Sequence, residues 1–220
     1  MAKELQLYNY FRSSASYRVR LALHYKELDF EYLPVHLLKN QGEQHSPSYK
    51  QLNSLSQVPT LIHQTPKGAI ALSQSVAIIE YLEEVFPQKR LLPNDPFLRG
   101  KIREFAEGIN SLAQPMGNLG TLQHLENHYQ FDTQMKTDWI QFWNHKALGH
   151  LEGLCQKFHG KFCFQDQFSV AECFLLPQLF TARRFKVDLT PFPRLQEIEK
   201  RCLELPFVKK AHPENQIDFE

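Results

Sequence analysis

The sequence predicts an α+β domain followed by an all-helical domain, on three observations. Short strand-like runs and amphipathic helical runs alternate through residues 5–86. Pro87, Pro93 and Pro96 then fall within ten residues, a helix-breaking cluster that marks 87–96 as a linker. Beyond it strand signals nearly vanish, and apolar side chains recur every three to four residues. The expected boundaries are a first domain at 1–86, a helical domain at 97–212 and a tail at 213–220.

Element by element, Leu5-Gln6-Leu7-Tyr8 alternates like a half-buried strand. Ser13 and Ser14 suit the start of a helix, because hydroxyls satisfy the N–H groups a helix leaves exposed. That helix carries Tyr17, Val19, Leu21, Ala22 and Leu23 to about Lys26. Phe30 to Val35 is β-branched and aromatic enough for a second strand. A helix between two short strands predicts a parallel pair with a right-handed crossover. The polar stretch Lys39–Lys50 has no clear period. Val58–His63 and Ala69–Leu72 flank a Pro/Gly turn and read as an antiparallel hairpin. Ser75 then caps a helix with Val76, Ile79, Leu82 and Val85 on one face. In the second half, Phe131, Met135, Trp139, Phe142, Ala147, Leu151, Leu154 and Phe158 predict one long helix with these residues in the core. Ser169-Val170-Ala171-Glu172 is a capping box opening another helix towards Arg184.

Composition excludes several classes of protein. With 42% hydrophobic and 22% charged residues, the chain is globular rather than disordered. Lys and Arg number 25 against 24 Asp and Glu, so no basic surface is available for a nucleic acid. Four cysteines, Cys155, Cys163, Cys173 and Cys202, include no C-x-x-C pair and are too few for a disulfide scaffold. They read as buried, reduced thiols of a cytoplasmic protein. No apolar run resembles a signal-peptide core or a membrane span. His124 and His128 share a helical spacing, but a third ligand is missing, and no metal is expected.

Chemistry has four places to sit. Arg12-Ser13-Ser14-Ala15-Ser16 crowds hydroxyls at a helix N-terminus, where the macrodipole favours an anion or thiolate. Ordinary capping accounts for one of those serines. Val58-Pro59-Thr60 enters a strand, and a cis proline there would turn the Val58 backbone outward to pair with an extended peptide. Gln74-Ser75 offers an amide, a hydroxyl and free N–H groups to a carboxylate. Arg183, Arg184 and Lys186 end a helix, where they complement its dipole or recognise a carboxylate.

Together these segments resemble the glutathione transferases, and most closely the zeta class, which includes maleylacetoacetate isomerase. The likeness rests on Tyr10–Arg20, Gln57–Leu61, Gln74–Leu82, Gln114-Pro115 with Asn118-Leu119, and Arg184–Pro191, and it runs from about residue 5 to 212. It implies a thioredoxin-like domain of order β-α-β-α-β-β-α, an all-helical second domain, a homodimer and glutathione as cofactor. It also implies site residues. Ser13 and Ser14 would lie beside the glutathione sulfur, with Ser14 stabilising the thiolate. Gln44, Val58, Gln74 and Ser75 would hold the rest of the tripeptide. Gln114, Asn118, Leu119 and Gly120 match contacts from the helical domain, expected across the dimer interface. Arg184 would attract substrate carboxylates.

The implied reaction is isomerisation of 4-maleylacetoacetate to 4-fumarylacetoacetate in tyrosine and phenylalanine breakdown. The family motif usually reads Ser-Ser-Cys, and here Ala15 takes the third place. Since glutathione brings the attacking sulfur, the expectation is an altered rate or substrate range rather than lost chemistry. Two other readings follow from the same residues: general glutathione transfer to electrophiles such as haloacids, and a non-catalytic interaction module.

Overall fold

Alternation of Leu5 and Leu7 with Gln6 and Tyr8 sets strand β1 (Leu5–Asn9), whose buried face carries Leu5, Leu7 and Asn9. The computed structural model describes residues 3–220. Ser13 caps helix α1 (Ser14–Tyr25) by accepting the Ser16 N–H. β2 (Phe30–Pro34) returns parallel to β1, with Leu5 opposite Phe30 and Asn9 opposite Pro34. The periodless stretch resolves into two short 3-10 turns, Lys39–Gln41 and Glu43–His45, and helix α2 (Pro47–Leu52), capped by Ser46. β3 (Thr60–Thr65) and β4 (Gly68–Ser73) form the expected hairpin. α3 (Ser75–Val85) follows at once.

The sheet order is β2-β1-β3-β4, with β3 antiparallel to β1. This is the thioredoxin-like β-α-β-α-β-β-α order. Register fixes where its chemistry can lie. Tyr8 pairs with Thr60, and Thr60 with Ser73, so the ends of β1, β2 and β4 and the start of β3 share one edge. Lys26, at the end of α1, secures the opposite side of this unit. Its ammonium forms a buried 2.6 Å ion pair with Glu83 and donates at 2.8 Å to the Phe86 carbonyl, closing the C-terminus of α3.

A helical region follows: α4 (Pro96–Glu107), a π-helical turn over Gly108–Ala113, α5 (Gln114–Met116), α6 (Leu119–Tyr129), α7 (Thr133–Cys155), α8 (Val170–Arg184), α9 (Pro193–Leu203) and α10 (Pro206–Ala211). Phe105, Ile109, Ile140, Leu148, Leu151, Leu175, Leu179 and Ile198 build its core, each at most 2% exposed. Inside that core Gln178 donates to the Asn144 side chain, which in turn donates to the Ile140 carbonyl. Not every residue the period assigned to the buried face of α7 is there. Met135 and Phe142 are exposed, because a 23-residue helix drifts out of strict register along a single packing stripe.

Two compact units result, one of the residues up to Arg90 with Leu205–Glu220, the other of Leu91–Glu204. The sequence places the helical domain at 97–212 and a tail at 213–220. Instead, everything from Leu205 joins the first unit. α10 packs on α1, and the buried Arg20 guanidinium donates to the Ala211 carbonyl at 3.0 Å. Nor is the proline-rich stretch all tether, since Leu91 and Leu92 are buried. Among the described residues no helix is long and apolar enough to cross a membrane.

Candidate glutathione and substrate site

At the shared sheet edge, β1 runs into a tight turn. The Ser13 N–H donates to the Tyr10 carbonyl, and the Tyr17 N–H to the Ser13 carbonyl. Ser13 spends its oxygen lone pair on the Ser16 N–H, which leaves its own hydrogen to donate. Ser14 is the first residue of α1 and takes no part in that cap. Two hydroxyls and the unpaired N–H groups of the first helical turn therefore collect at one point, a site for an anion. Ala15 adds neither thiol nor charge. Arg12 leans over the Tyr10 and Phe11 rings, its guanidinium carbon 5.8 and 6.0 Å from their centroids.

The Val58–Pro59 bond is cis, as the family likeness implied. Val58 packs in one apolar cluster with Tyr10, Phe11, Val35 and Tyr49, which joins the strand entrance to the serine turn. Tyr49 and Asn53 both donate to the Gln57 carbonyl, at 2.7 and 2.8 Å, and so hold the segment ahead of the cis bond.

Gln74 sits at φ +72, a left-handed conformation uncommon for a residue with a Cβ. Its amide reaches the Gln57 side chain at 3.4 Å. Ser75, buried at the first position of α3, accepts from Arg18 Nη1 at 3.1 Å. A second helix N-terminus, with a hydroxyl, an amide and a guanidinium behind it, thus lies at the same edge. Such a set suits a carboxylate.

Gln44 is buried, and its Oε1 has no hydrogen-bond partner among the described residues. A stranded buried acceptor costs about 1–3 kcal/mol, and a ligand N–H would offset it. Gly42, at φ +92, makes this position possible, since a Cβ there would come 2.5 Å from Gln44 Nε2. Glutathione brings two carboxylates, peptide N–H groups and a thiol. The donors and the stranded Gln44 oxygen fit that chemistry.

The second unit carries the other expected residues. Gln114 starts α5 directly after the π-helical turn. Asn118 caps α6 by accepting the Gly120 N–H at 3.0 Å, with Leu119 as its first residue. At the end of α8 the two arginines differ. Both are exposed; Arg183 is paired with Glu199, which holds the guanidinium more firmly charged, and Arg184 places its guanidinium carbon 4.4 Å from the Phe185 ring centroid. His124 and His128 stack at 4.5 Å on α6. All four cysteines are buried and in no disulfide, and burial pushes the Cys163 and Cys202 thiols up, away from reactive thiolates.

The sequence reading gave no role to the residues that support the site from behind. Arg18 and Arg20 fall in the family-like run Tyr10–Arg20 and are 1% and 0% exposed; Arg18 donates to the Ser75 hydroxyl, and Arg20 to Asn9 and to backbone carbonyls. Asp218 lies 207 positions from the Phe11 N–H it accepts, and nothing local announces it.

The comparisons agree with this geometry. Residues 3–84 match the glutathione S-transferase N-terminal domain model. A probable maleylacetoacetate isomerase 2 of Drosophila melanogaster is 41% identical, over 96% of this chain and 89% of that protein. The maleylacetoacetate isomerase of Mus musculus is 40% identical, over 96% and 94%. Among solved structures, a bacterial maleylpyruvate isomerase described as a zeta-class glutathione S-transferase superposes with a TM-score of 0.92 at 36% identity, covering 98% of this chain and all of that one. The maleylacetoacetate isomerase of Anaeromyxobacter dehalogenans, solved with glutathione bound in its active site, gives 0.90 at 37%, covering 100% and 99%. On sequence, fold and the arrangement of its sheet edge, this chain belongs to the zeta-class glutathione transferases, the family of maleylacetoacetate isomerase.

Proposed function

We propose that the protein is a glutathione-dependent cis–trans isomerase acting on 4-maleylacetoacetate. The observation that carries this reading is the pairing of two helix N-termini, each with hydroxyls, at one sheet edge beside a cis Val58–Pro59 bond. When bound, glutathione supplies a thiolate that adds reversibly to the conjugated cis double bond, so that rotation and expulsion give the trans isomer. The protein's part is to ionise and aim that sulfur. An ordinary thiol has a pKa of about 8.5, so hydroxyl donors and a helix dipole are needed to populate the thiolate near neutrality. Ser14, with Ser13 beside it, has that role.

Ser75 and Gln74 take the γ-glutamyl carboxylate, Val58 pairs its backbone with the cysteinyl part, and Gln44 accepts a ligand N–H. Arg184 binds a substrate carboxylate and steadies the enolate-like charge that follows addition. Arg183 is committed to Glu199 and is left out of this role. In the same reading Gln114, Asn118, Leu119 and Gly120 complete the glutathione site in a cytoplasmic homodimer serving tyrosine and phenylalanine breakdown.

The likeness to a maleylpyruvate isomerase favours a second substrate with the same cis double bond between a ketone and a carboxylate. Isomerisation of maleylacetone and of maleylpyruvate should be followed with and without glutathione. Turnover that needs glutathione is expected, and the ratio of kcat/KM values assigns the substrate. No turnover of either, with retention on immobilised glutathione, would instead favour a transferase or a binding module.

A further inference from the structure

The serine turn is held by a residue far away in sequence. The backbone of Phe11, within that turn, is held through the peptides on both its sides. The Phe11 N–H donates to Asp218 Oδ2 at 3.0 Å, and the Phe11 carbonyl accepts from Arg20 Nη2 at 2.8 Å. Arg20 is fully buried and binds the neighbourhood as well. Its Nη1 donates to Asn9 Oδ1 at 3.0 Å, and its Nε to the Ala211 carbonyl. Burial lowers its pKa to about 10, which still leaves it charged at neutral pH.

Asp218 has a second anchor. Its Oδ1 accepts from the Tyr32 hydroxyl of β2 at 2.5 Å, and burial raises the Tyr32 pKa, so this donor stays protonated. The residues beside Asp218 repeat the pattern. Phe219 stacks edge-on against Phe11 at 5.5 Å, and Glu220 reaches Lys39 and His36. His36 in turn accepts the Leu38 and Lys39 N–H groups in the loop that leads to Gln44. One segment thus touches both the serine turn and the loop that leads to Gln44.

We infer that Asp218 is a positioning residue for catalysis, clamping the Phe11 backbone together with Arg20 so that Ser13 and Ser14 stay aimed at the glutathione sulfur. This rests on the functional reading above. The physical basis is that thiolate stabilisation by preorganised donors depends on placement, and small displacements are costly in rate. Phe11 is two residues from Ser13, so freedom in its backbone passes directly to the donors. Around the clamp stand Arg12 on the turn, Arg20 on α1, Tyr32 on β2, His36 and Lys39 on the following loop, and Glu220. None but Asp218 bonds the Phe11 N–H among the described residues.

The test is the ionisation of bound glutathione, followed by thiolate absorbance against pH in the full-length protein. Asp218→Ala should raise the thiol pKa by about one unit and cut kcat at neutral pH about tenfold, with activity recovering as pH rises. KM for glutathione should stay within about twofold, because the carboxylate-binding end is untouched. A merely structural loss would lower activity without moving the thiol pKa. Asp218→Asn keeps one acceptor, and Tyr32→Phe loosens the anchor without touching the turn. Both should shift the pKa in the same direction by less, and they keep the test open if the alanine variant folds poorly. Wild-type ionisation with no shift in any variant overturns the clamp alone. A wild-type protein that binds glutathione without lowering its thiol pKa, or does not bind it, takes down the functional reading and the clamp together.

Discussion

Ser13 and Ser14 are neighbours with different duties. The Ser13 oxygen accepts the Ser16 N–H and so carries the helix cap, which a serine-to-alanine change weakens by about 1 kcal/mol. Ser14 has no share in that cap, and its loss should leave stability nearly unchanged. Ser14→Ala is therefore expected to lower glutathione-dependent kcat about 100-fold at neutral pH, the scale of removing one donor from a developing anion. Ala15→Cys should change the rate by less than about tenfold, since a thiol one position into the helix adds no charge to the sulfur already supplied. Steady-state rates with maleylacetone at several pH values check both. If the cysteine variant alone turns over, thiolate stabilisation belongs at position 15 and not to Ser14.

Elements whose signal is local were legible in the sequence, and those closed by distant groups were not. The capping box at Ser169 is of the first kind. Glu172, fully buried, accepts the Ser169 N–H at 2.7 Å as read from Ser-x-x-Glu, and also the Cys163 N–H at 2.7 Å, which no motif records. The N-terminus of α9 is of the second kind. Phe192 offers no side-chain cap there, and Glu152 of α7 accepts the Arg194 and Leu195 N–H groups from about forty residues away. The turns before α2 likewise escaped a periodic reading, because positive φ at Asn40, Gln41 and Gly42 shapes them rather than apolar spacing. The same divide runs through the site. Ser13, Ser14, Gln74 and Ser75 announce themselves at helix starts, while the distant partners of Arg18 and Arg20 cannot be read from the run they stand in, and Asp218 stands in no motif. The doubled duty of Glu172 makes its element testable. Ser169→Ala should cost about 1 kcal/mol. Glu172→Gln faces an amide N–H towards buried donors, and should cost more, about 2–4 kcal/mol. Urea unfolding of the two variants, monitored by circular dichroism, compares them directly.

At the scale of the molecule, the chain returns to its first unit after the helical region, and that return creates a pH-sensitive corner. His24, in the last turn of α1, meets the Phe30 ring of β2 edge-on at 5.3 Å and lies near Lys210 of α10. Burial first, then the charges of Lys210 and Arg20, lower its pKa from 6.5 to about 4. Glu27, Asp29 and Lys209 line the adjoining cleft. The imidazole is thus neutral in the folded state at pH values where the unfolded chain already takes a proton. Between about pH 6.5 and 4 the unfolded state binds more protons, so stability falls as pH falls. The contribution is fully present above the unfolded value and gone once the folded value has been passed. Other groups add their own acid slope; Asp188, Glu197 and Glu220 all have lowered pKa values. A comparison with His24→Gln cancels them. The wild type should lose stability relative to that variant across the window, and the difference should level off about one unit above the unfolded value and about one unit below the folded value. Denaturant midpoints measured at half-unit steps from about pH 8 to about pH 3 give the curve. A difference that does not change with pH would mean that His24 takes its proton equally well in both states, and that the return of α10 onto α1 leaves its ionisation untouched.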